Sequence, residues 1–200
     1  MNIDIKVVEV FGKVKSYCEA IYKGGSRLDP VIEKPHDYDY ICFAKDLQRH
    51  HLLRALISYG FKTTGSKRKL KQMSSNSVQE DLYDFSQIRP YPYTEIDWFS
   101  YLDILMIKVV GEDVCPKTDI ISKHRNEFIT DLKVKADKLT KNIITNQKRW
   151  YHILRGVYIL LNNSYEVTAE QKKEINILHD LSEGWEEVRD KTKYLLDTIK

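Results

Sequence analysis

Residues 24–41 read Gly24-Gly25-Ser26-Arg27-Leu28-Asp29-Pro30-Val31-Ile32-Glu33-Lys34-Pro35-His36-Asp37-Tyr38-Asp39-Tyr40-Ile41. A glycine turn and a serine are followed by a proline-bounded loop and then by two carboxylates one residue apart. Before the turn, Ala20-Ile21-Tyr22 is short and apolar and is stopped by Gly24-Gly25, which reads as a brief strand. After the loop, Tyr38 to Phe43 is aromatic and β-branched and reads as a second strand, a neighbour of the first. Successive side chains of a strand point to opposite faces, so Asp37 and Asp39 project together while Tyr38 and Tyr40 face the other way. Two carboxylates so placed repel each other and both stay ionised only beside positive charge, which divalent cations supply. Mg²⁺ commonly binds through one or two carboxylates together with the phosphates of a substrate. Gly24 and Gly25 allow backbone N–H groups to converge on phosphate oxygens, and the Ser26 hydroxyl adds a donor. The stretch predicts a metal–nucleotide site.

Working outward, Val7, Val10, Phe11 and Val14 recur at helical steps and predict a helix from about Asp4 to Tyr17. A second helix is expected over Asp46–Tyr59, stopped by Gly60, with a short strand at Phe61–Thr64. The segment Trp98 to Val110 is apolar almost throughout and reads as a strand central in a sheet, with Asp103 in its middle. A carboxylate there is costly to bury unpaired, which makes Asp103 the third acidic candidate. Asp97, six residues earlier at the same parity, competes with it. Beyond Pro116 the pattern becomes helical. One stripe runs over Ile143–Leu161 through Tyr151, Leu154, Tyr158 and Leu161, and Thr168-Ala169-Glu170-Gln171 is a capping box opening a helix through Leu181. A last helix uses Val188, Leu195 and Ile199. The fold class is α+β, an α/β domain over 1–118 followed by a helical domain over 119–200.

Composition narrows the function classes. In 200 residues, 42% hydrophobic and 30% charged content argue against disorder. Apolar runs are too short to span a bilayer, and the opening MNIDIK lacks a signal peptide's apolar region, so a cytoplasmic protein without a membrane partner is expected. Cys18, Cys42 and Cys115 are odd in number and lack zinc-ligand spacing, which favours buried free thiols. With 32 Lys and Arg against 29 Asp and Glu, the net charge of +3 does not by itself imply nucleic acid. The run Lys67-Arg68-Lys69-Leu70-Lys71 reads equally as a solvated loop or as a landing strip for a nucleic-acid acceptor. Tyr91, Tyr93 and Trp98 would stack on bases or fill a core.

The glycine-serine turn, the D-x-D that follows Ser26 by 11 positions at Asp37, and the later lone Asp together resemble the nucleotidyltransferases of the DNA polymerase beta superfamily. The form is similar to the "GSRxxG…SDxD" pattern of the small bacterial and phage members associated with RNA repair. Lys148, Tyr151, His152 and Arg155, in KRWYHILR, resemble the K-x-x-Y-H-x-x-R helix those members carry in their C-terminal half. The likeness touches residues from about 20 to 195 and is strongest over 24–41 and 148–155. Pro30 departs from it where a second glycine is usual, and His36 where a small residue is usual.

The resemblance implies a nucleotidyltransferase fold, a mixed sheet flanked by helices and followed by a C-terminal helical bundle. It implies that Asp37, Asp39 and Asp103 hold two Mg²⁺ or Mn²⁺ ions, and that Gly24, Gly25, Ser26 and Arg27 grip the phosphates of an NTP, ATP foremost. From spacing alone Lys148, His152 and Arg155 read as a solvated polar face. The resemblance turns Lys148 and Arg155 toward the triphosphate, with His152 beside them. NMP would pass to an acceptor hydroxyl on an RNA end, a small molecule or a protein, with release of pyrophosphate. The alternative is a non-catalytic nucleotide- or RNA-binding protein of the same fold, antitoxin-like or regulatory.

Overall fold

The computed structural model of the chain describes residues 3–34, 38–45, 48–58, 62–63, 83–90, 105–114 and 119–199. They form a mixed α+β structure in two compact units. The first contains α1 (Ile3–Val14), β1 (Cys18–Gly24), β2 (Tyr38–Ala44), α2 (Arg49–Ser58), β3 (Lys62–Thr63), β4 (Tyr83–Pro90) and β5 (Ile107–Gly111). The second contains Pro30–Lys34 and, from residue 119 on, α3 (Arg125–Thr140), α4 (Trp150–Asn162), α5 (Ala169–Asp180) and α6 (Trp185–Thr198). Among the described residues, no helix is long and apolar enough to cross a membrane.

The strands of the first unit lie in the order β3-β4-β2-β1-β5. β1 runs antiparallel to both β2 and β5, while β4 runs parallel to β2 and to β3. The helical period of α1 turns Val7, Val10 and Val14 onto Cys18, Ile21, Tyr40, Cys42 and Ala44, and α2 adds Leu52 and Leu56 to the same core. Burying one such side chain contributes about 1.5–3 kcal/mol. Alternation along β2 sends Tyr40, Cys42 and Ala44 into this core, as its pattern predicts. Phe43 has the opposite parity and meets the Tyr22 ring edge-on at 5.3 Å. Asp39 shares the parity of Ile41 and Phe43. Cys18 and Cys42 are free and buried, and burial pushes the Cys42 thiol pKa up. Cys115 lies outside the described residues.

The second unit is built around α4, in which every residue from Trp150 to Leu160 except His152 is buried. It packs against α3, α5 and α6. Gly156 lets α3 come close, since a Cβ there would sit 2.9 Å from Leu132 Cδ2 and 3.0 Å from Phe128 Cζ. The capping box forms as its motif predicts, with the Gln171 amide donating to the Thr168 hydroxyl at 3.2 Å and the Thr168 amide to Gln171 Oε1 at 2.9 Å. Asn176 of α5 fastens Pro30–Lys34, accepting from the Glu33 amide at 3.0 Å and donating to the Val31 carbonyl at 2.8 Å.

Three sequence expectations change. Of the strand expected over Trp98–Val110, residues 98–104 lie outside the described residues; the described part is strand from Ile107, and among the described strands it lies at the sheet edge rather than the centre. Ile107 is half exposed, so the apolar run does not mark two-sided burial there. The helix expected from Ile143 begins at Trp150, after a 3-10 turn over Gln147–Arg149. Asn142 adopts φ 57° just after α3, and Ile143 is exposed, so the turn absorbs the first residues of that stripe. β4 is an additional strand that hydropathy does not announce, because Asp84, Ser86, Gln87 and Arg89 interrupt its apolar character.

Candidate functional site

Register gathers the site at one end of the sheet. Gly24, the last residue of β1, is the direct partner of Asp39 on β2. Asp39 is in turn the partner of Asp84 on β4, and Asp84 is the partner of Lys62 on β3. One row across four adjacent strands therefore reads Lys62, Asp84, Asp39, Gly24. Lys23, next to Gly24, pairs with Ile107, so β5 starts at this same end. Just past the row, β4 spends three steps from Asp84 to Gln87 where β2 spends two from Asp39 to Ile41. Such bulges twist and re-aim a strand and are frequent beside active sites.

The glycine turn sits against this row. Gly25 has φ 75° and ψ −170°, a conformation that only glycine adopts without strain. Ser26–Leu28 form a 3-10 turn, closed by the Leu28 amide on the Gly25 carbonyl and the Asp29 amide on the Ser26 carbonyl, both at 3.2 Å. Ser26 and Asp29 are buried, and Arg27 is exposed. Gly24 is also closely approached: a Cβ there would meet Ile41 Cδ1 at 2.8 Å and Met106 Cγ at 3.4 Å. Tyr22, two residues earlier, is anchored by donating to Asp113 Oδ1 at 2.6 Å and accepting from the Val114 amide at 3.0 Å.

Of the three sequence-predicted carboxylates, Asp39 is located by its backbone on β2, whereas Asp37 and Asp103 lie outside the described residues. So do Asp97, His36, the basic run 67–71, and Tyr91, Tyr93 and Trp98. Asp84 is the acidic residue that sequence reasoning missed. Its signal was the alternating Tyr83-Asp84-Phe85, which only the pairing with β2 makes meaningful. Among the described residues no group of three His, Cys, Asp or Glu could hold a metal. Carboxylates are nonetheless the oxygen donors that Mg²⁺ and Mn²⁺ prefer, and Asp39 and Asp84 are cross-strand partners. That donor chemistry fits such an ion.

In the second unit, Lys148, His152 and Arg155 do not share one solvated face. Lys148 belongs to the 3-10 turn and is half-buried, His152 lies in the first turn of α4, and Arg155 is only 2% exposed. Arg155 Nη2 donates to the Tyr165 carbonyl at 2.8 Å, tying α4 to the turn that follows it. Burial, followed by the positive charges of Lys135 and Arg149, then His179 and Lys148, pushes the His152 pKa down to about 3. The imidazole is therefore neutral at physiological pH. Tyr151 packs against it with ring centroids 3.9 Å apart and meets His179 edge-on at 4.9 Å. The His179 ring is fixed by Asp180, 2.6 Å from its Nδ1.

Comparisons with protein families, with characterised proteins and with solved structures find no match for this chain.

Proposed function

We propose that the protein is a metal-dependent nucleotidyltransferase that moves an NMP group from an NTP to an acceptor hydroxyl and releases pyrophosphate, on a nucleotidyltransferase fold. The single observation that supports this most is the row joining Gly24, Asp39 and Asp84 beside the positive-φ Gly25 turn. Asp37 and Asp39 would hold Mg²⁺ or Mn²⁺ together with a third carboxylate. Asp84, in register with Asp39, and Asp103, four residues before β5, are the two candidates for that place. The ion, when bound, supplies charge neutralisation at the phosphates and an acidified acceptor hydroxyl.

The chain's own residues orient and shield. The Gly24-Gly25-Ser26 backbone would present N–H groups to the leaving phosphates, with exposed Arg27 as a guanidinium for their outer oxygens. Transfer needs no covalent intermediate in this scheme, only positioning and charge stabilisation. Arg155 contributes by holding the turn at Tyr165 in place. His152, neutral, would act as a packing and hydrogen-bonding neighbour rather than as a cation.

The test offers each α-labelled NTP with Mg²⁺ or Mn²⁺ to the protein and total RNA, and follows pyrophosphate release and the labelled product. Wild type is expected to transfer label. Asp39→Ala is expected to lose at least about 100-fold in rate while keeping its melting temperature. Asp84→Asn and Asp103→Asn, assayed in parallel, identify the third carboxylate by the larger loss. Wild-type turnover by Asp39→Ala would refute the assignment, and nucleotide binding without any pyrophosphate would favour the non-catalytic alternative.

A further inference from the structure

The sheet of the first unit has a second end. There Cys18 opens β1 opposite Ala44, the last residue of β2, and Ala20 pairs with Gly111, the last residue of β5. The seven residues of β1 set this end about 20 Å from the row of Gly24 and Asp39. An open cavity of about 470 Å³ lies here, lined by residues of the first unit. A volume of roughly 300–1,000 Å³ is that of a small-molecule site. Phe11 of α1 and the buried Cys18 give the cavity apolar wall. Its charges are Lys15, just past α1, Lys45, just past β2, Glu19 on β1, and Glu112, just past β5.

Backbone contacts fix where these charges stand. The Lys45 amide donates to the Tyr17 carbonyl at 2.9 Å, which fastens Lys45 beside the segment that carries Lys15. The Glu112 amide donates to the Glu19 carbonyl at 3.1 Å and continues the pairing of Ala20 with Gly111, so Glu19 and Glu112 stand opposite each other on neighbouring strands. Like charges so placed are destabilising. Among the described residues, the side chains of Lys15, Glu19, Lys45 and Glu112 make no hydrogen bond or ion pair. Both signs thus line one cavity without neutralising each other. The dipole of α1 favours a cation at Lys15, but it accounts neither for Lys45 nor for the facing carboxylates. Because β1 separates β2 from β5, Lys45 and Glu112 lie two strand spacings apart, about 10 Å along the sheet. A ligand that bridges them needs a cationic end and an anionic end joined by a short apolar stem. A simple anion or a polyamine would meet its own charge at one side.

We propose that this cavity binds a small dipolar molecule, with its guanidinium or ammonium end on Glu19 and Glu112 and its carboxylate end on Lys45 and Lys15. Charge-assisted hydrogen bonds then form at both ends, and the ligand relieves the repulsion between the facing carboxylates. A guanidinium suits that pair best, because its planar fork presents several donors at once. The stem between the ends packs on Phe11 and Cys18. Free arginine has this arrangement of charge and is the probe. The cavity shares no residue with the row at Gly24 and Asp39, so it stands whether or not the transferase reading holds.

The experiment titrates the protein with L-arginine by calorimetry, without NTP or divalent ion. Wild type is expected to bind with a Kd of about 1 mM or tighter. Amide shifts in heteronuclear NMR should cluster at residues 15–19, 45 and 111–112. Agmatine, which lacks the carboxylate, and citrulline, which has a neutral group in place of the guanidinium, are each expected to bind at least about 10-fold more weakly. The double variant Lys15→Gln, Lys45→Gln should weaken arginine about 10-fold and leave agmatine no weaker, since the lysines only repel that probe. The double variant Glu19→Gln, Glu112→Gln should weaken both probes and be at least as stable as wild type, because it removes the facing like charges. Should either double variant fail to fold, the three probes on wild type decide alone. Absence of saturable binding by wild type up to about 10 mM arginine overturns the proposal. Equal affinity for the three probes, unaltered arginine affinity in both folded double variants, or amide shifts confined to residues 24–28 overturn it as well. No nucleotide enters the assay, so a failure of the transferase reading leaves its result untouched.

Discussion

The two units organise polar chemistry by opposite means. In the first, strand register and backbone conformation do the work: Gly24, Asp39 and Asp84 become neighbours through pairing across the sheet, and Gly25 holds a turn that other residues resist. In the second, side chains close in sequence do it, through the capping box of α5, the His179–Asp180 contact and the cations flanking α4. The difference teaches where each unit is vulnerable. A sheet site fails when its backbone is displaced, whereas a helical surface loses one charge or one cap at a time.

The sharpest way to break this comparison is at Gly111, where β5 meets β1. It has φ 92°, and a Cβ there would lie 2.2 Å from the Glu19 carbonyl oxygen, an atom that cannot swing away. Gly111→Ala is therefore expected to destabilise the protein by about 3 kcal/mol or more in chemical denaturation, through strain and displaced pairing. Near-wild-type stability would mean that the sheet accommodates backbone change as easily as the helices do.

A smaller effect belongs to His152. Its folded pKa, about 3, lies below the ordinary value of 6.5, so the unfolded chain binds the extra proton between those values. Stability is fully present above about pH 6.5 and falls as the pH drops through that window, by roughly 1–2 kcal/mol at pH 5. Denaturation midpoints of wild type and His152→Asn, compared across this range, should converge as acid is added. Parallel curves would contradict a neutral, half-buried imidazole. The mildest change is Thr168→Ala, which removes the hydroxyl that accepts from the Gln171 amide and should cost about 1 kcal/mol. Protection of amides at the start of α5 should fall in hydrogen exchange, with the sheet unaffected.

This division also explains what could be read from sequence. Local signals read well: the capping box at Thr168, the stripe of α1, the helix over Arg49–Ser58 and the glycine turn between β1 and β2 all correspond to observed structure. That β1 and β2 are neighbours was legible from the turn-forming, proline-bearing loop between them; their antiparallel direction was not read. Strand order was not. β4 carries few apolar residues and pairs in parallel with β2, a strand separated from it by a helix and another strand, so no local feature discloses its place. Asp84 was hidden for the same reason. Conversely, the apolar run ending in β5 suggested a central strand, although partial exposure and an edge position suit it equally well. Arg155 matched a polar spacing, yet the tertiary packing of α4 buries it against the Tyr165 carbonyl.

Whether Asp39 and Asp84 share one divalent ion is tested most directly by titrating the protein with Mn²⁺ in the presence of a non-hydrolysable NTP, with free Mn²⁺ followed by electron paramagnetic resonance. The expected result is a wild-type site that both Asp39→Asn and Asp84→Asn weaken at least about 10-fold, and that Lys173→Glu leaves unchanged. Wild-type Mn²⁺ affinity in both asparagine variants, each folded, would contradict it.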